Sequence, residues 1–88
     1  MNALQAASYG GNLKIFKLLL DKGADVDAQG GDCGNVLQAA SYGGNLAIVK
    51  LLLDKGVDVN AQGGRYGNAL QAAASEGDEV MVRLLLDN

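Results

Sequence analysis

The sequence predicts an all-α solenoid of stacked helix-turn-helix units joined by hairpin-like arms, and three observations predict it. A segment recurs every 33 residues, as NALQAASYGGN from Asn2, NVLQAASYGGN from Asn35 and NALQAAASEGD from Asn68. Each interval holds two short apolar segments, and isolated helices below about 12–15 residues are marginal in water, so neighbours must stabilise them. The second segment is apolar over too wide an arc for one partner, which stacked units solve by covering it from both sides. Aligned without gaps, Asn2–Gly34 and Asn35–Gly67 differ at seven positions and agree at 26 of 33, the mark of tandem duplication. The chain is read as one domain, residues 1–88, of units 2–34, 35–67 and 68–88, the last incomplete.

In each unit the first helix begins at an asparagine, Asn2, Asn35 or Asn68, which can cap it, with Gln5, Gln38 or Gln71 three places on to reach back in a capping-box pattern. The helix is short and alanine-rich, and Gly10-Gly11 or Gly43-Gly44 stops it. A second helix then starts behind Asn12, Asn45 or Asp78 as cap. At about 100° per residue, Ile15, Phe16, Leu18, Leu19 and Leu20 cover an arc of about 200°, with Lys14, Lys17 and Asp21 opposite. Leu19→Ala and Leu52→Ala are therefore both expected to cost about 2–5 kcal/mol, as core truncations do. Gly23 and Gly56 end the second helices, and DVDAQGGDCG and DVNAQGGRYG follow as extended arms.

Composition narrows function by subtraction. The 88 residues contain no histidine, proline or tryptophan, and imidazole base catalysis and histidine-ligated metals go with the histidine. Ten acids against seven scattered bases give no cationic field for phosphates, so nucleic acid is not an expected partner. Cys33 is the single cysteine, which suits a reducing, cytoplasmic location. The sequence shows no leader pattern and no apolar run of membrane-spanning length, so no membrane association is expected.

Two motifs imitate ligand loops. Asp25, Asp27 and Gly30 resemble the start of a calcium loop, but Val36 occupies the twelfth position where a bidentate glutamate belongs, as Ala69 does in the next unit. The Gly-Gly-x-x-Gly runs ending at Gly34 and Gly67 lack both a preceding buried strand and a following lysine, so they are read as turns and not as phosphate cradles. Neither a catalytic constellation nor a cofactor is expected.

A cap residue, leucine, a polar residue and alanine at fixed offsets, then GN and IxKLLLDKGADV in a 33-residue period, resemble the ankyrin repeat over the whole chain. The family's TPLH is here Asn2-Ala3-Leu4-Gln5 and its two counterparts, so asparagine stands for the threonine cap and glutamine for histidine. The near-identical GNALQAAS units are similar to arrays in fungal NACHT-type receptors. The resemblance implies protein recognition through the arm tips and the concave face of the first helices, without catalysis or cofactor.

Where units are near copies, their differences are the informative positions. Asp32-Cys33 becomes Arg65-Tyr66 at the arm tips, a charge reversal and a new aromatic at a place where core packing is expected to demand little. Tyr9 and Tyr42 close the first helices. The expected contact surface is Tyr9, Gln29, Asp32, Tyr42, Gln62, Arg65 and Tyr66. A second expectation, end-to-end homo-association into a scaffold, follows from the terminal units, which lack fully polar outer faces.

Overall fold

The computed structural model describes all 88 residues and contains six helices in three antiparallel pairs. They are α1 (Ala3–Gly10), α2 (Leu13–Asp21), α3 (Val36–Tyr42), α4 (Leu46–Asp54), α5 (Ala69–Ser75) and α6 (Glu79–Leu86). Helices α1, α3 and α5 pack side by side as an inner row, and α2, α4 and α6 form an outer row behind them. Alanine makes the inner row possible: Ala39, Ala40, Ala69, Ala72 and Ala73 are all buried, and their small side chains let the helix backbones approach closely. The stack measures 32 × 22 × 21 Å.

The caps predicted for the first helices form in every unit, where the Asn2, Asn35 and Asn68 side chains accept from the backbone N–H of Gln5, Gln38 and Gln71, each at 2.8 Å. The reciprocal half of the capping box closes only in unit one, where the Asn2 N–H donates to Gln5 Oε1 at 3.3 Å. The glutamines have a further task that spacing did not reveal. Gln5 and Gln38 are buried, and their side-chain amides donate to the Gly30 and Gly67 carbonyls, pinning each arm to the base of an inner helix.

At the second-helix caps the structure corrects the expectation. Asn12 and Asp78 cap as predicted, accepting from Ile15 and Met81 N–H. Asn45 makes no cap bond, and its amide donates instead to the carbonyls of Ser8 and Tyr9. The reason is positional: the last carbonyls of α1 have no intrahelical partner, and the unit-two turn lies against them. Asn12 meets no such carbonyls in this structure and caps α2, and Asp78, lacking a side-chain N–H, cannot donate to one.

Burial along the outer row shows which face each residue presents. Ile48 and Met81 are almost fully buried whereas their counterpart Ile15 is 47% exposed, so this position points toward the preceding unit. Leu52 and Leu85 are buried and Leu19 only half-buried for the same reason, which withdraws the full core cost expected for Leu19→Ala. The opposite stripe points down the stack: Phe16 and Val49 are fully buried, while Val82 is half-buried.

The arms are extended but barely sheet-like, each closed by a single bridge, Gln29 to Asn35 and Gly63 to Gly67. Asp25 and Asp58 shape their starts by accepting from the N–H two residues on, at 2.9 Å in each case. One arm lies directly on the other. The Arg65 N–H donates to the Asp32 carbonyl at 2.7 Å, and a Cβ on Gly64 would sit 2.5 Å from the Gly34 nitrogen. Glycine is required there for close backbone approach as well as for its φ of +64°.

Candidate functional site

The inner helices ALQAASYG, VLQAASY and ALQAAAS contain no charged residue. Their alanines are consumed by packing, so chemistry on this side comes from the ends of the helices and from the arms. Tyr9 lies near the end of α1 and Tyr42 ends α3 at the same repeat position, and the approach of the two helices stacks their rings at 5.6 Å between centroids and 17° between planes. Tyr66 arrives from the second arm and stacks on Tyr42 at 4.7 Å and 24°. Three phenols therefore form a continuous ladder across two units and an arm tip.

The ladder borders a groove of about 300 Å³, which Met1, Asp32, Cys33 and Arg65 also line. The Arg65 guanidinium donates to Asp32 Oδ2 at 3.5 Å, with both side chains largely in solvent. Such an exposed pair contributes little stability, so it marks charge on the rim more than it holds the arms. The Tyr42 phenol is pushed up to about 12. The cause is first the neighbouring Tyr66 hydroxyl, which favours the protonated phenol, and then the nearby Glu76 carboxylate, which opposes a second negative charge.

Five of the seven residues expected at the contact surface, Tyr9, Asp32, Tyr42, Arg65 and Tyr66, come together in this groove. Gln29 does not; it lines a smaller cleft of about 140 Å³ with Val26, Leu37 and Val57. Gln62 is exposed and its amide turns back to the Asn60 carbonyl at 3.3 Å. Two lining residues escaped the sequence reading. Met1 is 64% exposed beside Tyr9, and Cys33, expected at an arm tip, is buried. The premise that packing demands little at this position is also corrected: Cys33 is buried and its counterpart Tyr66 is half-buried against Tyr42. The signal was the register itself, since two apolar-bodied side chains share a position flanked by glycines.

No helix is long and apolar enough to cross a membrane. A family profile described as ankyrin repeats in three copies matches residues 3–88. Among solved structures, the human ASB11 ankyrin repeat domain superposes with a TM-score of 0.86 at 29% identity, over 99% of this chain and 39% of that one. The chain thus spans well under half of that domain. No curated protein sequence matches significantly.

Proposed function

The chain belongs to the ankyrin-repeat family, whose members are generally protein-protein interaction modules, and we propose that it captures a protein partner in the groove bordered by Tyr9, Tyr42 and Tyr66. One observation supports the reading: three tyrosines, two from equivalent inner-helix positions and one from an arm tip, stack into a ladder that borders a groove. Tyrosine offers large amphipathic contact area with little rotamer entropy to lose, and stacking restricts it further before a partner arrives. The reading assigns the chain no catalysis and no cofactor. It places the protein in the cytoplasm, where the sole, buried thiol of Cys33 stays reduced.

The test is Tyr9→Ala, because Tyr9 is 45% exposed and leaves the buried core untouched. Partner capture is expected to weaken by about 1 kcal/mol or more, the scale of an interface anchor. Lys17→Ala on the outer row, measured in parallel, should leave capture unchanged. Equal losses from both variants would refute the placement.

A second reading, end-to-end homo-association, is favoured by the apolar surface at the two faces of the stack. Ile15 and Leu18 are 47% and 56% exposed on one face and Leu86 is 65% exposed on the other. These repeat the stripes that units present to one another inside the molecule, so one copy's first unit is shaped to receive another's last. Light scattering after size exclusion over a hundredfold dilution separates the readings: a constant mass near 9.0 kDa removes association, and growth with concentration supports it.

A further inference from the structure

The bases of this chain, all but one, lie on one side of it. Lys14, Lys17, Lys22, Lys50, Lys55 and Arg83 all lie on the outer helices or their caps, and all are exposed. The arms, residues 24–34 and 57–67, carry Asp25, Asp27, Asp32 and Asp58 against one base, Arg65. Glu76 adds a carboxylate at the end of α5, close enough to act on the Tyr42 phenol. The only ion pairs are Arg65 with Asp32 and Arg83 with Glu79, so Glu76 has no cationic partner. The outer row also carries Asp21, Asp54, Asp78, Glu79 and Asp87, so its six bases are nearly balanced, whereas the side with the arms and the tyrosine ladder has five acids against one base. Of these acids Asp32 lines the ladder groove, and Asp27 and Asp58 line the other cleft.

From this charge distribution and the ladder we infer that the partner presents an extended, arginine-bearing segment to the groove; the inference rests on the reading of that groove as the recognition surface. Arginine fits for two reasons. Its planar guanidinium can lie against a phenol face, an attraction enhanced by the adjoining carboxylates, and its fork of N–H donors matches both the phenol oxygens and the carboxylates of Asp32 and Glu76. A lysine ammonium supplies the charge without the plane. The ring spacings of 5.6 and 4.7 Å make a ladder about 10 Å long. That is roughly three residues of extended chain at about 3.3 Å each, so a short linear segment suffices. Arg65 then works against the partner twice, as a like charge on the rim and as the competitor that occupies Asp32.

The probe is a fluorescein-labelled peptide of eight glycine and serine residues with two of them replaced by arginine three positions apart, read by anisotropy and by the tyrosine ring signals in NMR. A citrulline version keeps the shape and removes the charge, and a glutamate version reverses it. The arginine peptide is expected to bind with shifts in the Tyr9 and Tyr42 ring signals, about tenfold more tightly than the citrulline peptide. Asp32→Asn combined with Glu76→Gln should weaken it about fivefold or more, and Arg65→Gln should strengthen it severalfold. All three positions are exposed, and thermal melts of the variants verify that the fold is intact. Equal binding of the arginine and citrulline peptides, or tighter binding of the glutamate peptide at the same ring signals, overturns the basic partner but leaves the groove as a recognition surface. Ring signals that no peptide of any charge moves, together with undiminished partner capture by Tyr9→Ala, overturn both.

Discussion

Leu19 and Leu52 occupy the same repeat position in helices of nearly the same sequence, yet truncating them should have unequal consequences. Leu52 is fully buried because unit one covers it, whereas Leu19 is half-buried on the open face of unit one. Leucine to alanine removes about three methylene equivalents, worth roughly 2.4 kcal/mol of transfer free energy when burial is complete. The cavity left between two helix rows adds to this, so Leu52→Ala should cost about 3–4 kcal/mol. Leu19→Ala forfeits about half the transfer contribution and encloses no cavity, for about 1 kcal/mol. A domain of 88 residues is stable by only roughly 4–13 kcal/mol, so the larger loss is a substantial fraction of the whole. Urea denaturation followed by circular dichroism at 222 nm reads the difference: with a slope of about 1 kcal/mol per molar, the two midpoints should lie about 2–3 M apart. Equal midpoints would show that the apolar stripes do not face up and down the stack as described.

Three further outcomes follow from the contacts. Asn45→Asp should destabilise by about 1–3 kcal/mol, since a carboxylate cannot donate to the Ser8 and Tyr9 carbonyls, whereas Asn12→Asp, at a true cap, should stay within a few tenths; urea midpoints that move equally would refute the clamp. Gly64→Ala should cost about 2 kcal/mol or more because its Cβ would meet the other arm, and Gly23→Ala, with a φ of +90° but open space, about 1 kcal/mol; equal losses in the same assay would mean that the arms do not touch. Tyr42 should give the phenolate absorbance step near pH 12, and Tyr42→Phe should delete it. The folded state holds that proton more tightly than an unfolded tyrosine of pKa 10.0, so its contribution to stability is complete below pH 10 and disappears as pH rises toward 12. A step near pH 12 that survives Tyr42→Phe would contradict the assignment.

The period, the helix pairs and the first-helix caps were legible because they rest on local rules: periodicity, cap chemistry and glycine stops act within a few residues. What escaped was set by stacking. Nothing within unit two distinguishes Asn45 from Asn12, and only the carbonyls of the unit ahead draw its amide away from the helix. Gln5 and Gln38 were placed in a capping box by their spacing, while their amides reach arms 25 and 29 residues away. The contact surface divided along the same line. Tyr9 and Tyr42 could be paired from the repeat register, but the ring of Tyr66 joins them only through the path of the second arm. Gln29 lies on the first arm four residues ahead of Cys33, the counterpart of Tyr66, yet it lines the other cleft with Val26, a division that the path of the arm sets and the repeat register does not show.

The placement of recognition in the tyrosine groove is tested most directly by a photo-crosslinking phenylalanine analogue introduced singly at Tyr9, Tyr66, Lys17 or Lys50. All four positions retain solvent access, two at the groove and two on the outer row. Covalent partner adducts from the groove positions and none from the outer row are the predicted result. Adducts from Lys17 and Lys50 alone would contradict the account and move the binding surface to the back of the stack.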